Sequence, residues 1–265
     1  MSGGFANAVY YPSWIIYKGK PPSSLNVTQA SHVLYSFVGK HDDDDDDDGL
    51  TSIKAIDEWA DTGVEADGEK GCLAALAKLK RSNPHLKTLV SIGGGTGSAQ
   101  FPAMAANPQA RETFARAIRA FVEQHELDGV DTPQERPRGP TTFLHLLYTI
   151  RTQLPGPRYL LTTALPPGRA AGHPFSDAGE MNYCDFPAAW VEQARVDEEA
   201  AAAWHVDPDK GFASFDTPAS VRIKARWVRE RQLGGLMYWT GSADRPGRES
   251  LVSAGYLEMH GYAPL

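Results

Sequence analysis

Short apolar runs alternate with amphipathic helical segments along most of this chain. That alternation predicts a parallel β-sheet covered by helices. Each run is apolar enough to be buried on both faces; the six are ANAVYY (6–11), SHVLYSFVG (31–39), HLKTLVSIGGG (85–95), LDGVD (127–131), RYLLTTAL (158–165) and GGLMYW (234–239). A closed (β/α)8 barrel takes about 250 residues, which the 265 residues permit. Because only six strand-like runs are present, we expect an α/β fold of the TIM (β/α)8 type that is incomplete or truncated.

The helices have recognisable starts. Asn107 before Pro108 and Thr217 before Pro218 each place a capping side chain ahead of a proline at the first helical position. Apolar residues then recur at helical spacing: Phe114, Ile118, Phe121 and Val122 after the first cap, and Val221, Ala225 and Val228 after the second. A third helix is predicted over 142–154, ended by Pro155.

The stretch between about 165 and 234 shows no strand–helix–strand pattern and contains several turn formers. We expect one domain over 1–265, with about 170–215 irregular. Two missing units would leave the fifth and eighth barrel strands as unpaired edges, which proteins normally cover or charge. MNYCDF (181–186) and GFASFD (211–216) are the candidates to cover one of them.

Charge and composition exclude several classes of function. The 33 acidic and 26 basic residues give a net charge of −7, and the run Asp42–Asp48 alone supplies seven of the acids. The remainder is balanced, so no basic footprint for nucleic acid is present. The run itself is either a solvated, self-repelling loop or a cation-binding loop; calcium loops space their ligands with turn glycines, which favours the solvated loop.

Other cofactors and locations are constrained by what the sequence lacks. Cys72 and Cys184 are too few for a disulfide scaffold or a tetrahedral zinc site, and the eight histidines show no ligand spacing. We therefore expect no cofactor and no metal. Neither a standard signal peptide nor an apolar stretch of about 18 residues is seen, so we expect a cytoplasmic monomer without membrane partners, or a secreted one if a signal was removed or an unconventional route is used.

The segment LDGVDTPQERP (127–137) gathers acidic residues at the end of a predicted strand. Alternate residues of a strand share a face, so Asp131, position 133 and Glu135 should face the same side. Chemistry in parallel α/β barrels lies at that end of the strands. Carboxylates placed together raise one another's pKa, and a protonated glutamic acid can donate to a glycosidic oxygen.

Glycines and aromatic residues accompany these acids at other strand ends. The run SIGGG (91–95) lets backbone approach closely, while Tyr10, Phe37 and Trp239 offer flat apolar faces that suit a sugar ring. Taken singly, these aromatic residues are better explained as core; their shared placement at strand ends favours a sugar site. A phosphate loop at 91–100 is disfavoured because the Lys-Ser/Thr pair is absent.

Two of these segments resemble the motifs of glycoside hydrolase family 18, the chitinases. Ser91-Ile-Gly93-Gly94 is similar to its SxGG motif, and LDGVDTPQE (127–135) is similar to its DGxDxDxE motif. The segments AVYYPSW, HVLYSFVG and LGGLMYWTG fall where that family has its first, second and eighth strands. The likeness spans almost the whole chain and is closest to fungal chitinases.

The resemblance implies a substrate and a set of site residues. Asp128 and Asp131 match the first two aspartates of the motif, and Glu135 matches the catalytic acid. Trp239 matches the tryptophan under the cleaved sugar, with Tyr10, Phe37, Gly93 and Gly94 lining the same subsite. The implied substrate is chitin or chitooligosaccharides, polymers of β-1,4-linked N-acetylglucosamine, and the implied nucleophile is the substrate's own N-acetyl oxygen.

The sequence also departs from the family. Pro133 stands where the family has the aspartate that assists the N-acetyl group. The Met-x-Tyr-Asp segment of the sixth strand has no counterpart, which indicates a deletion around strands six and seven; 178–187 resembles the family's segment before the last strand.

Three hypotheses remain open on the sequence alone: a chitinase-type hydrolase with weak or lost activity, a non-catalytic, lectin-like binder of chitooligosaccharides, and a degraded copy with no function. Two residues also have structural alternatives, since Glu135 could be a surface loop residue and Asp131 could serve only to bond Ser91 of the neighbouring strand.

Overall fold

A computed structural model of the 265-residue chain describes residues 4–39, 53–94, 101–132, 140–164, 181–209 and 211–261. Its strands, in chain order, are β1 (Ala6–Pro12), β2 (His32–Gly39), β3 (Lys54–Ala55), β4 (Glu65–Ala66), β5 (Glu69–Lys70), β6 (Lys87–Ile92), β7 (Gly129–Thr132), β8 (Leu160–Thr163), β9 (Arg195–Asp197), β10 (Ala202–Asp207), β11 (Gly211–Ser214) and β12 (Gly235–Tyr238).

The helices alternate with these strands. They are α1 (Cys72–Ser82), α2 (Phe101–Ala106), α3 (Pro108–Gln124), α4 (Pro140–Gln153), α5 (Ala188–Glu192), α6 (Pro218–Glu230) and α7 (Leu251–His260). Short 3-10 turns lie at Ser13–Lys18, Pro22–Ser24, Tyr183–Asp185, Gly241–Ala243 and Gly247–Glu249, and a π-helical turn at Trp59–Gly63. None of the helices in the described ranges is both long and apolar enough to cross a membrane.

Contacts divide the chain into two compact units. Unit 1 comprises Met1–Tyr10, Leu25–His32 and His173–Leu265, and unit 2 comprises Tyr11–Ser24 and Val33–Gly172. β1 and β2 each have residues in both units. The prediction of a single domain therefore stays a prediction.

Unit 2 contains β2, β6, β7 and β8 side by side in that order. The pairs β6–β7 and β7–β8 are parallel, and their register places Ser91 opposite Asp131 and Asp131 opposite Thr162. Strand β3 adds an antiparallel pair to β2. Helices α3 and α4 pack on each other in this unit, and the buried face of α3 is the one predicted from its apolar spacing.

Unit 1 contains β1 and β12 as a parallel pair, with Ala6 opposite Gly235. A core cluster of Ala225, Val228 and Met259 joins α6 to α7, with Leu236 of β12 packed against it. The same unit holds a separate antiparallel sheet in the order β11-β10-β9.

Both predicted helix caps are present. The Asn107 side chain accepts hydrogen bonds from the backbone of Gln109 and Ala110 at the start of α3. Thr217 and Ser220 form a reciprocal capping box at the start of α6. Each cap satisfies backbone N–H groups that have no partner inside the helix, so these boundaries are set locally by the sequence.

The expectation that about 170–215 is irregular differs from the structure over its described part. Residues 181–214 hold a 3-10 turn, α5 and the three antiparallel strands β9, β10 and β11. The absence of a strand–helix–strand pattern does not exclude this sheet, because its short antiparallel strands are joined by turns rather than by helices. β11, in the candidate segment GFASFD, pairs with β10, and MNYCDF forms the 3-10 turn at Tyr183–Asp185 rather than a strand.

Candidate functional site

The Asp131 side chain lies at the centre of a hydrogen-bonded group on three neighbouring strands of unit 2. It is 2% exposed. Its Oδ2 accepts from Ser91 Oγ of β6 at 2.8 Å, and its Oδ1 accepts from Thr162 Oγ1 of β8 at 2.7 Å. The predicted bond to Ser91 is therefore present, and both carboxylate oxygens are oriented by hydroxyl groups. This fixes the carboxylate in one direction but does not by itself assign it a catalytic role.

Asp128 precedes β7 and lies at the opposite end of that strand from Thr132. Asp131 is three positions further along the chain, and at about 3.3 Å per residue of strand the two residues lie about 10 Å apart. Its carboxylate is 3.0 Å from Lys80 Nζ and 3.5 Å from Lys87 Nζ, and it accepts from the Thr88 backbone N–H at 2.9 Å. The structure therefore does not bring Asp128 together with Asp131, and these contacts support a structural role. Its predicted place among the catalytic residues stays untested.

Glu135 and Pro133, the two positions on which the sequence argument depends most, lie outside the described residues. β7 ends at Thr132, immediately before them. Their assignment remains the one implied by the motif.

Gly94 and Phe37 are in close contact in unit 2. Gly94 has a φ of 74°, and a Cβ added to it would lie 2.7 Å from Cδ2 of the Phe37 ring. Gly93 before it also has a positive φ, of 98°. Only glycine fits such a backbone against an aromatic ring, which explains the glycine pair. On its other side Phe37 stacks with Trp14, with 6.1 Å between the ring centres.

Trp239 and Tyr10 are in contact in unit 1. Their ring centres are 5.1 Å apart and the rings meet edge to face at 61°. Tyr10 is buried, whereas Trp239 is 56% exposed. The sequence left two interpretations open for these aromatic residues, a core residue or a surface for a sugar ring. The burial of Tyr10 fits the first, and the exposure of Trp239 fits the second.

A cavity of about 990 Å³ lies beside Trp239 within unit 1. Its wall is formed by the end of β12 and the residues after it, by β11 with the residues that follow it, by the segment 181–186, by Trp190 of α5 and by the first residues of α7. Aromatic side chains are frequent in it: Tyr183, Phe186, Trp190, Phe212, Phe215, Tyr238 and Trp239. The sequence analysis named only Trp239 among these. The alternation in AAWHVD (202–207) and GFAS (211–214) is the signal that could have indicated the strands that help to form this wall.

Burial perturbs two tyrosines of this cavity. Desolvation raises the pKa of Tyr183 to about 12, and the same cause raises the pKa of Tyr238. Both hydroxyls stay protonated at neutral pH, so neither acts as a base.

Unit 2 contains a buried acid that the sequence analysis missed. Asp61 is fully buried, and its Oδ1 accepts a hydrogen bond from the hydroxyl of Tyr35. Burial raises the pKa of Asp61 to about 6, while the bonds from Tyr35 and from the Asp57 backbone act in the opposite direction. The Tyr11 hydroxyl and the free thiol of Cys72 are 3.7 Å apart, and burial raises the Cys72 pKa to about 11. A thiol in that state is a poor nucleophile.

Within the described ranges, no group of three or more His, Cys, Asp or Glu side chains is arranged to hold a metal ion.

Curated relatives match nearly the full chain. Chitinase 1 of Aphanocladium album is 27% identical over 362 residues, covering 96% of this chain and 85% of the relative. Endochitinase 1 of Metarhizium anisopliae is 26% identical over 372 residues, covering 98% and 86%. Both alignments are longer than the 265 residues of this chain, so each relative carries residues that this chain lacks, as the predicted deletion requires.

Solved structures show the same fold. The catalytic domain of psychrophilic chitinase B from Arthrobacter TAD20 is 16% identical with a TM-score of 0.76, covering 100% of this chain and 97% of that one. The Ostrinia furnacalis Group IV chitinase is 19% identical with a TM-score of 0.75, covering 97% and 99%. The predicted fold class is thus confirmed: the chain has an incomplete TIM-type α/β fold, with six of the barrel's eight strands recognised in the described residues.

The sequence model of one family matches most of the chain. The matching segments are residues 6–188 and 178–244, and the family is described as glycosyl hydrolases family 18. The two segments meet near 178–188, where the sequence analysis placed the end of the deletion. The chain belongs to glycosyl hydrolases family 18.

Proposed function

We propose that this chain binds β-1,4-linked N-acetylglucosamine oligomers through Trp239 and hydrolyses them weakly, with Glu135 as the general acid. The family and the chitinase relatives support the substrate class. The expected weakness of hydrolysis comes from Pro133.

Trp239 is the observation that carries the binding part of the proposal. Its ring is held by the buried Tyr10 while more than half of its surface stays accessible beside the cavity. An exposed tryptophan in a fixed position loses little conformational freedom when a ligand covers it. The apolar face of a pyranose ring can then stack on the indole, as aromatic platforms do with other flat ligands.

The catalytic part depends on the carboxylates of the motif. In the family mechanism the N-acetyl oxygen of the substrate attacks the anomeric carbon while an acid protonates the leaving oxygen. Glu135 supplies that acid, and Asp131, four positions earlier in the sequence, has its carboxylate held by Ser91 and Thr162. Pro133 has no side-chain oxygen to stabilise the closing amide, and losing one such stabiliser typically costs about 10² to 10³ in rate.

Hydrolysis of a chromogenic chitotetraose tests this assignment. We expect slow release of product by the parent protein and none above the blank by Glu135→Gln, which keeps the shape of the side chain but has no acidic proton. Turnover equal in the parent and in Glu135→Gln would show that Glu135 is not the acid.

A second candidate is a chitooligosaccharide binder without catalysis. It is favoured by the same Pro133, because the binding platform is kept while the assisting carboxylate is missing. Calorimetry with unmodified chitotetraose tests the binding that both candidates share. We expect heat of binding from the parent, its loss in Trp239→Ala, and no change in Trp227→Ala, a matched control because Trp227 is 52% exposed on α6 of the same unit. Absence of binding by the parent would exclude both candidates.

A further inference from the structure

One part of the cavity wall has no strand pairing to hold it. The wall segment 181–186 (MNYCDF) contains the 3-10 turn Tyr183–Asp185, and Tyr183 and Phe186 line the same cavity as Trp239. Its backbone bonds are local: Asp185 N–H donates to the carbonyl of Asn182 at 2.9 Å, and Phe186 N–H to that of Tyr183 at 3.4 Å. Local bonds define the shape of the turn, but they do not determine where it lies against the rest of unit 1.

Two kinds of contact attach this segment: the Phe186 ring stacks on Phe215 with 4.6 Å between the ring centres, and the Arg245 side chain holds the backbone. Arg245 follows β12 and the 3-10 turn Gly241–Ala243. Its Nε donates to the Tyr183 carbonyl at 3.1 Å, and its Nη2 donates to the Phe186 carbonyl. The guanidinium carbon also lies 5.2 Å from the centre of the Tyr183 ring. One side chain thus contacts two of the four residues of this segment that line the cavity.

Glu249 completes this attachment from the same loop. Arg245 Nη1 donates to Glu249 Oε2 at 3.0 Å, and the Tyr183 hydroxyl donates to the Glu249 carbonyl at 3.0 Å. All three guanidinium nitrogens of Arg245 are therefore engaged, and the side chain is 9% exposed. Lysine cannot reproduce this arrangement, because a single ammonium group lacks the planar fork that reaches several acceptors at once.

We propose that Arg245 is a positioning residue that holds the wall segment against the loop after β12 and thereby sets the affinity of the cavity for N-acetylglucosamine oligomers. It touches the wall and not the ligand. Because Tyr183 and Phe186 lie on the wall of the cavity that Trp239 also lines, movement of the segment changes the width available to a sugar ring. The inference rests on the proposed binding function.

The test compares Arg245→Gln and Arg245→Lys with the parent protein and with Arg248→Gln. Arg248 is an exposed arginine three residues further along the same loop, so its replacement removes the same charge without touching the wall. Three quantities are measured for each: the dissociation constant for chitotetraose by calorimetry, the thermal midpoint, and hydrogen exchange of the Asp185 and Phe186 amides.

We expect Arg245→Gln to weaken chitotetraose binding about tenfold or more and to speed exchange at Asp185 and Phe186, while exchange in α3 of unit 2 stays as in the parent. The affinity and the exchange rates of Arg245→Lys should lie between those of the parent and those of Arg245→Gln. Arg248→Gln should match the parent in both. If Arg245→Gln does not fold, Arg245→Lys carries the same comparison. A purely structural role would lower the thermal midpoint without changing the affinity of the folded protein.

The outcomes separate this inference from the function on which it rests. If the parent binds chitotetraose and folded Arg245 variants bind it equally well, the inference is wrong and the proposed function stands. If the parent binds no chitotetraose, the proposed function is wrong and the inference falls with it. If Arg248→Gln loses as much affinity for chitotetraose as Arg245→Gln does, the loss comes from the charge of the loop rather than from the position of the wall, and the inference is wrong.

Discussion

The hydroxyl of Ser91 donates to the carboxylate of Asp131 across the β6–β7 pair, with 2.8 Å between Ser91 Oγ and Asp131 Oδ2. Thr162 of β8 holds the other oxygen at 2.7 Å. Three adjacent parallel strands are thus connected by one buried acid, directly before the motif positions 133 and 135.

Removal of the Ser91 hydroxyl should destabilise the protein. Ser91→Ala leaves a buried carboxylate with one bond fewer, which costs about 1 to 3 kcal/mol in the free energy of unfolding. Urea denaturation measures it, with Ser82→Ala as a control because Ser82 is exposed at the end of α1. Equal midpoints for the two variants would show that the Ser91 bond contributes no stability.

Asp128 is expected to act on stability rather than on turnover. Asp128→Asn removes the charge between Lys80 and Lys87 and weakens a bond to the Thr88 backbone, so we expect a loss of about 1 to 3 kcal/mol. Glu126→Gln breaks an ion pair with Arg81 whose side chains are both more than half exposed, and should change stability by less than about 1 kcal/mol. Chitotetraose binding by folded Asp128→Asn should equal that of the parent; a large loss of binding without a change in stability would restore Asp128 to the site.

Stability should depend on pH through Asp61. Its pKa is about 6 in the folded chain and near 3.8 when unperturbed, and burial is the main cause. Between these values the unfolded chain releases the proton while the folded chain keeps it. Stability from this group is therefore greatest below about pH 4, falls by about 3 kcal/mol as the pH rises to about 6, and is constant above that.

Asp61→Asn isolates this contribution, because the amide oxygen can still accept the bond from Tyr35 but does not titrate. Urea midpoints at a series of pH values between 4 and 7 should show a downward component in the parent that is missing in the variant. Identical pH profiles for the two proteins would mean that Asp61 does not carry the effect.

Gly94 should not tolerate a side chain. Gly94→Ala places a Cβ 2.7 Å from the Phe37 ring on a backbone with a φ of 74°, and the left-handed conformation alone costs about 1 to 2 kcal/mol. Gly234→Ala is the control, since an added Cβ there meets nothing within 4 Å. We expect a clear drop in the thermal midpoint for the first variant and little change for the second; equal midpoints would show that the loop at Gly94 adapts freely.

Local signals in the sequence predicted much of this fold. All six predicted strands and both capped helices are present. The expectation that each strand is buried on both faces is wrong for β8 and β12, which are only partly buried at the two ends of the strand order. The sheet of β9, β10 and β11 was missed, because its strands are only three to six residues long and depend on pairing with each other. Asp61 was missed for a related reason, since nothing in WADTG (59–63) indicates that Tyr35 meets this acid in the core.

The candidate site was predicted in part. The Asp131–Ser91 bond, one of the structural alternatives that the sequence left open, is present, and Trp239 contacts Tyr10, with which the resemblance grouped it. The motif grouped Asp128 with Asp131 and Glu135. Because a strand rises about 3.3 Å per residue, Asp128 lies about 10 Å from Asp131 along β7, and its place among the catalytic residues stays untested. The sequence does not indicate that Arg245 holds the wall segment, because the two carbonyls to which it donates there lie 59 and 62 residues earlier in the chain.

Restoring the missing carboxylate tests the central claim most directly. Turnover of a chromogenic chitotetraose is measured for the parent, for Pro133→Asp and for the double variant Pro133→Asp with Glu135→Gln. If Pro133 is what limits hydrolysis, Pro133→Asp should raise turnover by about 10², and the double variant should return it to the blank. A folded Pro133→Asp protein that hydrolyses no faster than the parent, or a gain that survives Glu135→Gln, would contradict the account.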